Sequence, residues 1–247
     1  MNIFNLYKKV GETPLECLRS FQEKMKLDGP MTYLGRLDPM AEGVLLVSQS
    51  SITPEERNRL LLNDKTYQFK ILLGLQTDTY DCLGIARALP FDDALLQKIP
   101  DILQSLCGRQ TQEYPPYSSK PFKGKPMFVH ARANLPVEDV PTKEIEIKSL
   151  KIIEYGKINN AELQRKICEK IGRVNGDFRQ DIIQKQWQKI LGEDREYHII
   201  FCEARVSSGT YIRSIANKVG LLLDSGGVAL EIIRTRIGDY NIKDSII

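Results

Sequence analysis

Apolar residues recur at helical spacing in several stretches of the chain. The first begins at Thr13-Pro14-Leu15-Glu16, which has the residues of a capping box with proline at the first helical position. The apolar positions that follow predict an amphipathic helix to about Lys26. Further helices are predicted over 92–98, 101–107 and 210–223, and the last of these has a strongly apolar face.

Runs rich in aliphatic, β-branched and aromatic residues predict strands. The residues from Val44 to Val47 are continuously apolar, which is typical of a buried strand. Strands are also predicted over 65–73, 127–133, 145–154 and 197–206. Gly124-Lys125-Pro126 is expected to form the hairpin turn that leads into the strand over 127–133.

The stretch from about 157 to 195 has a different pattern. Its apolar residues fall on helical faces on both sides of Gly176, so we predict two amphipathic helices inserted between strands. The chain as a whole mixes strands and helices without a regular βαβ rhythm, which favours an α+β fold. Its 247 residues can bury one large core or two modest ones, and no linker divides them. We therefore expect a single domain over 1–247 that carries the helical insertion.

Composition narrows the classes of function. No apolar run approaches the roughly 18 residues needed to cross a bilayer, and the N-terminus does not resemble a secretory signal. Five cysteines, an odd number without a Cys-x-x-Cys pair, predict reduced thiols and a cytoplasmic protein. Two histidines without metal-ligand spacing argue against a zinc site.

Positive charge is concentrated locally, although the formal net charge is only +3. No acidic residue lies between Glu113 and Glu138, whereas Lys120, Lys123, Lys125 and Arg132 do. Such a segment suits a nucleic-acid backbone, and a solvated loop and hairpin is the equal alternative.

Gly35-Arg36-Leu37-Asp38-Pro39 places a carboxylate in a tight turn before the apolar strand. An Asp before Pro is commonly only a turn former, and that is the alternative interpretation. However, Gly35, Ala41 and Gly43 leave the side chain uncrowded. Because a carboxylate can act as a nucleophile that divides a difficult reaction into easier steps, Asp38 is the candidate catalytic residue.

Arg213 is the predicted partner of Asp38. It lies in the first turn of a predicted helix, where the helix dipole disfavours a cation, so we expect a nearby anion. That anion is the Asp38 carboxylate, a phosphate or both, and a surface salt bridge is the alternative.

Tyr67, on the predicted strand over 65–73, is either a ring that stacks on an extruded base or a half-buried core residue.

Other candidates have weaker signals. Asp78 and Asp81 suit a magnesium ion only loosely, and a structural turn is the favoured interpretation. His130 and His198, both on predicted strands, are expected to pack or to form hydrogen bonds rather than to catalyse.

Taken in order, these motifs resemble those of the TruB-type pseudouridine synthases, which isomerise a uridine inside folded tRNA. Gly35 to Leu45 resembles the family's catalytic turn, Lys65-Thr66-Tyr67 its second motif, and Gly74 to Gly84 the segment that follows. The remaining matches are Gln112 with Pro115-Pro116-Tyr117-Ser118 and Gly124, then Ala131-Arg132, Ser207 to Arg213, and Ile233 to Gly238 as a final strand. They cover nearly the whole chain outside the insertion.

The resemblance implies the pseudouridine synthase fold, an α+β fold with a mixed, mostly antiparallel sheet, flanking helices and a central active-site cleft. Asp38 would attack the nucleotide so that the uracil can detach, rotate and rejoin through carbon, and Arg213 would pair with Asp38. Tyr67 would stack on the flipped base and assist removal of the C5 proton. The residues implied to contact substrate or RNA are Tyr33, Arg36, Lys65, Lys120, Lys123, Arg132 and Tyr211.

The resemblance also implies the partner, which is the T-arm of tRNA with its uridine at position fifty-five. It implies no metal and no organic cofactor. We expect a monomer without an obligate protein partner and without a membrane contact.

The chain departs from the family pattern in three places. Tyr33 stands where the family usually has a histidine, and Met31 to Arg36 replaces a Gly-His-x-Gly lead-in. The chain ends soon after Gly238, so we expect no C-terminal PUA domain. The apolar stripes of the insertion favour packing, with RNA contact as the alternative.

Two other functions remain open. One is an RNA-binding protein with weak or no catalysis that helps tRNA to fold. The other is a hydrolase that uses Asp38 and the pair Asp78/Asp81 with a metal, which would be sensitive to chelators.

Overall fold

The computed structural model of the chain describes residues 2–49, 52–133, 135, 139–192 and 195–247. The α-helices are α1 (Pro14–Lys24), α2 (Pro54–Leu62), α3 (Ile99–Ser105), α4 (Met127–Arg132), α5 (Asn160–Gly172), α6 (Gln180–Ile190) and α7 (Ile212–Leu222). The strands are β1 (Asn2–Lys8), β2 (Met31–Leu34), β3 (Ala41–Gln49), β4 (Lys65–Leu73), β5 (Leu75–Thr77), β6 (Ala86–Ala88), β7 (Gly108–Glu113), β8 (Pro121–Phe122), β9 (Lys125–Pro126), β10 (Thr142–Asn159), β11 (Glu196–Val206), β12 (Gly227–Ile237) and β13 (Tyr240–Asn241).

The main sheet has the strand order β1-β3-β12-β4-β11-β10-β7, with β2 paired to β3 and β13 paired to β12. Within this sheet β3 and β12 run parallel over a short register from Ala41 to Gly43, and the other described pairs are antiparallel. The sheet is therefore mixed and mostly antiparallel, and the predicted α+β fold is confirmed.

Alternation along β4 separates two cores. Tyr67, Phe69, Ile71 and Leu73 belong to the core that includes α3 and α7, whereas Leu72 belongs to the core on the opposite face. Successive strand residues point to opposite faces, so a strand that is buried on both sides feeds both cores.

The insertion helices α5 and α6 pack on the core that contains Leu72. Their buried apolar residues are Leu163, Ile167, Ile171, Ile183 and Trp187, each with 0% exposure. Two helices on either side of Gly176 and the packing role of their apolar stripes are both confirmed. Strand β10 continues to Asn159, beyond the predicted end at 154, because it stays paired with β11 even where its residues are exposed.

The first helix begins as its sequence predicts. The Thr13 hydroxyl accepts from the Glu16 amide at 3.2 Å, and the Glu16 carboxylate accepts from the Thr13 amide at 2.7 Å, which completes the capping box. Among the described residues, every helix is too short or too polar to span a bilayer.

The predicted strand over 127–133 is wrong, because Met127–Arg132 is helix α4. The amides that open this helix are satisfied from outside it: Met127 donates to the Lys120 carbonyl at 2.9 Å and Phe128 to that of Ser118 at 3.1 Å. Only Met127 of this helix is buried, so no sheet face is available to impose an alternating pattern. His130 consequently lies on a helix, where its ring forms a hydrogen bond with the Phe122 carbonyl at 3.1 Å. His198 lies on β11 as predicted and contacts Asp93 at 2.9 Å.

Candidate active site

Asp38 lies in the connection between β2 and β3. The Ala41 amide donates to the Asp38 carbonyl at 3.0 Å, and the Gly11 amide donates to the Pro39 carbonyl at 2.8 Å. These backbone bonds close the turn and tie it to the loop after β1. The Asp38 side chain remains 35% exposed, so a ligand can reach its carboxylate.

Two buried cations hold the backbone on both sides of Asp38. The Lys8 ammonium donates to the Ala41 carbonyl at 2.7 Å and to that of Lys9 at 2.9 Å. The Arg234 guanidinium donates through Nε to the Val44 carbonyl at 2.7 Å and through Nη1 to that of Arg36 at 2.9 Å. Lys8 is 0% exposed and Arg234 is 2% exposed, so both charges act in a medium of low polarity, where hydrogen bonds are strong.

Arg213 pairs with Asp38 across a sequence separation of 175 residues. Its Nε donates to Asp38 Oδ2 at 2.9 Å, its Nη1 to the Thr79 carbonyl at 2.9 Å, and its Nη2 to the Tyr117 carbonyl at 3.0 Å. Only 2% of Arg213 is exposed. One guanidinium therefore joins the turn, the loop after β5 and the segment after β7, and it leaves Asp38 Oδ1 without a hydrogen-bond partner among the described residues.

Arg213 keeps its positive charge although it is buried. Burial alone would disfavour the charged form of Arg213, but the carboxylates of Asp38 and Asp81 outweigh burial, and the pKa of Arg213 is raised above its usual value. Burial raises the pKa of Asp81, although Arg213 and the hydrogen bonds from Thr79 and Leu83 oppose that shift.

Asp38 stands between two cavities. The smaller cavity has a volume of about 200 Å³ and the larger one about 510 Å³, and both are lined by Arg36, Leu37, Asp38 and Ser119. Lys65, Tyr67 and Tyr211 line the smaller cavity, whereas Tyr33 and Arg132 line the larger one. The structure thus brings these predicted residues around one carboxylate, while Lys120 and Lys123 line neither cavity.

The two tyrosines of the smaller cavity are held differently. Tyr67 is buried on β4, between β11 and β12, and its hydroxyl makes no hydrogen bond to the described residues. Tyr211 precedes α7, and its ring contacts that of Tyr114 edge-on with centroids 5.8 Å apart. Burial, followed by the nearby Asp38 carboxylate, raises the pKa of Tyr211 to about 12, so its hydroxyl keeps its proton at neutral pH.

Lys65 reaches the site with its stem rather than its charge. Its ammonium donates to the carbonyls of Leu61 and Asn63, at the C-terminus of α2. Burial, together with the charges of Arg234 and Lys143, lowers its pKa to about 8. Lys65 is therefore placed to shape the cavity wall and to cap α2.

The basic residues predicted to hold RNA lie on the segment from 117 to 132. The Lys120 ammonium is 5.0 Å from the centre of the Tyr114 ring, and Lys123 is 5.3 Å from that of Phe122. Arg132, at the end of α4, forms an ion pair with Asp177 at 3.7 Å. All three are exposed, which leaves them accessible to a polyanion.

The carboxylates of Asp78 and Asp81 do not converge. Asp78 accepts from Arg179 at 2.9 Å and from the Ile85 amide at 2.8 Å, whereas Asp81 accepts from the Thr79 hydroxyl and the Leu83 amide. No group of three or more potential ligands is clustered for a metal ion among the described residues. The two acids act in the loop as structural hydrogen-bond acceptors, which was the favoured interpretation.

Sequence reasoning missed several residues that build the site. Lys8 shares a strand face with buried Leu6, and Arg234 shares one with buried Ile232. For both residues the sequence signal was a positively charged residue at a strand position that the alternation of buried apolar residues assigns to the interior. Gln112 was noted only within a motif, yet its side-chain amide brackets the Tyr211 backbone, accepting from the amide at 2.8 Å and donating to the carbonyl at 3.3 Å.

Gly43→Ala is expected to destabilise the protein strongly. Gly43 has φ of +108°, and a Cβ atom there would lie 2.3 Å from the backbone carbonyl oxygen of Arg234, where β3 and β12 run parallel. We expect the free energy of unfolding to fall by roughly 3 kcal/mol or more, because both the strained φ and the clash oppose the side chain. Urea unfolding measures this change.

Gly29→Ala is the matched control. Gly29 has φ of +88° but no atom within 4 Å of an added Cβ, so only the backbone strain applies. Its expected cost is about 1 kcal/mol. If the two variants lost the same free energy of unfolding, the contact between β3 and β12 would have moved apart to admit the Cβ atom at no energetic cost, which would contradict the prediction.

Lys8→Met is expected to change how stability depends on pH. Burial lowers the pKa of Lys8 from its ordinary 10.5 to about 8. Between pH 8 and 10.5 the unfolded chain binds more of this proton than the folded protein does, so the stability of the native state rises with pH. Below about pH 8 Lys8 is charged in both states, and the folded protein carries the full cost of burying that charge. Relative to Lys8→Met, the native protein should gain roughly 2 kcal/mol between about pH 7.5 and 9.5. Urea unfolding of both proteins across that window measures the difference.

Thiols and tyrosines away from Lys8 titrate alike in the two proteins, so their contributions cancel. Cys17 is close to Lys8, but burial raises its pKa to about 11, above the window that is compared. Lys9→Met, which removes an exposed neighbouring lysine, is the control for the loss of one charge. A difference curve that stays flat or falls with pH would contradict the burial of a charged Lys8.

Comparisons with known proteins show the family to which the chain is similar. A family model described as TruB family pseudouridylate synthase (N-terminal domain) matches residues 24–171. The tRNA pseudouridine synthase B of Thermosipho melanesiensis is 30% identical over 249 residues, which cover 100% of this chain and 67% of that protein. The tRNA pseudouridine synthase B of Caldanaerobacter subterraneus subsp. tengcongensis is 27% identical over 244 residues, which cover 98% of this chain and 71% of that protein.

Solved structures share the fold. A Cbf5–Nop10–Gar1 complex matches 97% of this chain with a TM-score of 0.54 and 19% identity, and this chain covers 49% of the matched one. An H/ACA ribonucleoprotein bound to a substrate RNA containing 2'-deoxyuridine matches with a TM-score of 0.53. The family model spans more than half of the sequence and a relative at 30% identity aligns along all of it. The chain therefore belongs to the TruB family of pseudouridylate synthases.

Proposed function

We propose that this protein converts the T-arm uridine at position fifty-five of tRNA to pseudouridine, with Asp38 as the nucleophile. The observation that carries the proposal is the ion pair between Asp38 and Arg213 at the boundary of two cavities. The buried guanidinium fixes one carboxylate oxygen through a hydrogen bond, while the other oxygen remains free to attack.

The reaction needs only groups of this kind. The carboxylate would attack C1′, so that a bond between its oxygen and C1′ forms as the bond between N1 and C1′ breaks. The released uracil would rotate, and its C5 would form a bond with C1′ as the bond between C1′ and the carboxylate oxygen breaks. The C5 proton leaves to solvent and N1 gains one, so product and substrate are isomers and Asp38 is regenerated. Tyr67, whose ring lines the smaller cavity, would stack on the uracil and assist removal of the C5 proton.

An RNA loop suits the shape and charge of the site. The target base must leave its stack, which costs a few kcal/mol, and aromatic side chains can replace part of the lost stacking. The smaller cavity offers Tyr67 and Tyr211 for this purpose. The exposed cations Lys120, Lys123 and Arg132 would contact the phosphates of the stem.

The test is release of tritium from tRNA labelled at uracil C5, followed by mapping of the modified nucleotide. We expect release of one tritium per tRNA and modification at position fifty-five. No release from any tRNA would exclude the isomerase and leave an RNA-binding role. Activity that a chelator abolishes would instead favour the metal-dependent hydrolase.

A monomeric state and a cytoplasmic location belong to the same proposal. Both rest on the sequence expectations, and the location rests in particular on the five cysteines without a Cys-x-x-Cys pair. Light scattering of the purified protein, alone and with the T-arm stem-loop, would test the first.

A further inference from the structure

The connection between α5 and α6, residues 173–179, reaches the cleft; we call it the insertion turn. Asp177, Phe178 and Arg179 line the larger cavity beside Asp38. The turn lies beyond the residues that the family model matches, which end at residue 171. The helices pack on the sheet, but the turn between them faces the site.

Arg179 is held by two specific contacts in a strained backbone conformation. Its φ of 65° and ψ of 27° are left-handed, which is uncommon for a residue with a side chain. Its Nη1 donates to Asp78 Oδ2 at 2.9 Å, and its guanidinium lies 4.5 Å from the centre of the Tyr117 ring. A cation at this distance from an aromatic face is attracted to it.

Tyr117 connects this arginine to the catalytic pair. Its backbone carbonyl accepts the 3.0 Å hydrogen bond from Nη2 of Arg213, whose Nε binds Asp38. The contacts therefore run without interruption from Arg179 through Tyr117 and Arg213 to Asp38.

The insertion turn also holds the other end of the same segment. Arg132 donates to the Asp177 carbonyl and pairs with the Asp177 carboxylate, and its guanidinium lies 5.8 Å from the Phe128 ring and 6.0 Å from the Phe178 ring. The segment from 117 to 132, which carries Lys120 and Lys123, is thus fixed at both ends by the turn.

We propose that the insertion turn is the outer wall of the RNA cleft, and that Arg179 is a positioning residue that holds the 117–132 segment in the conformation that RNA binds. This inference deepens the proposed function, because it assumes that the cleft takes RNA. It assigns to the insertion a role in recognition that its packed helices alone do not have.

The test compares the affinity of Arg179→Ala and of unaltered protein for the T-arm stem-loop, both in an Asp38→Asn background so that no turnover occurs. We expect the Kd to rise about tenfold, because the ion pair and the cation–π contact that fix the segment are lost. Asp78→Asn removes the ion pair but leaves the cation–π contact, so it should produce a smaller rise. Adding it to Arg179→Ala should change the Kd little further, because the ion pair is already lost. Arg179→Lys, which keeps the charge facing Asp78, should recover part of the affinity.

Lys185→Ala is the matched control, because it removes one exposed cation from α6, the helix that follows the insertion turn. Its Kd should stay within about twofold of the unaltered protein.

Trp187 is the single tryptophan of the chain, is fully buried, and donates to the Cys82 carbonyl at 3.1 Å. Unchanged Trp187 emission in Arg179→Ala will show that the insertion helices remain packed. If the emission shifts, the Kd values of Arg179→Lys and Asp78→Asn will be compared with that of the unaltered protein instead.

A positioning role and a direct phosphate contact differ in their response to salt. Loss of a direct contact reduces the slope of log Kd against log salt by about one, whereas loss of a positioning contact leaves the slope unchanged. An unchanged Kd, or a slope reduced by about one, would overturn the proposal. Failure of the native protein to form pseudouridine would refute the proposed function. The Kd comparison would still test whether the insertion turn holds the 117–132 segment for RNA binding.

Discussion

Asp38→Asn is expected to abolish pseudouridine formation, with a loss of roughly a thousandfold or more in kcat. The amide cannot act as the nucleophile, yet its oxygen can still accept from Nε of Arg213, so the local structure should persist. Because the substitution leaves the buried Arg213 guanidinium without its paired anion, the free energy of unfolding should fall by roughly 3 kcal/mol. Tritium release from C5-labelled tRNA measures the activity, and urea unfolding measures the stability.

Asp101→Asn is the matched control, since this exposed carboxylate on α3 lines neither cavity. It should retain full activity. The affinity of Asp38→Asn for the stem-loop should remain close to that of the native protein, because the carboxylate acts on the bond and not on the phosphates. Substantial turnover by Asp38→Asn would remove Asp38 from the mechanism and leave it as a turn former.

Arg213→Lys is expected to lower both stability and activity although it keeps the positive charge. One ammonium cannot reproduce the planar set of donors that binds Asp38 and the carbonyls of Thr79 and Tyr117. At least one buried carbonyl loses its partner, so the free energy of unfolding should fall by roughly 2 kcal/mol. The carboxylate would also lose its fixed orientation, which should lower kcat by roughly a hundredfold.

Arg205→Lys is the control for the same chemical change at the surface. Arg205 is exposed on β11 and pairs with Asp64 at 2.8 Å. We expect less than about 1 kcal/mol of change and normal turnover. If Arg213→Lys behaved like Arg205→Lys, the buried guanidinium would be dispensable and the pairing with Asp38 would have no catalytic consequence.

The site residues differ in how readily their position follows from the chain. The turn around Asp38 is local: Gly35, Pro39 and the apolar strand after it lie within a few residues, and their conformational preferences act over that distance. The helix that carries Arg213 is likewise specified by nearby sequence, because its own apolar face and the glycines beyond its end predict α7. That both features serve one site came from the order of motifs along the chain.

The segment from 117 to 132 shows where local patterns fail. The hairpin turn at 124–126 predicted a strand over 127–133, but Met127–Arg132 is helical, and among the described residues no strand pairs with it. Strand formation depends on a partner that is distant in sequence, whereas helix formation satisfies its own backbone. The sequence pattern alone does not contain that partner.

The sequence by itself determined the helices with periodic apolar faces, including the two in the insertion, and the α+β class. It also determined the two motifs that contain Asp38 and Arg213. Only the tertiary structure decided which buried cations surround the turn, since Lys8, Arg213 and Arg234 come from β1, α7 and β12. It also decided that the insertion turn faces the cleft. Local propensities act over a few residues, whereas the burial of a charge and its choice of carbonyl depend on strands and helices that meet only when the sheet has formed.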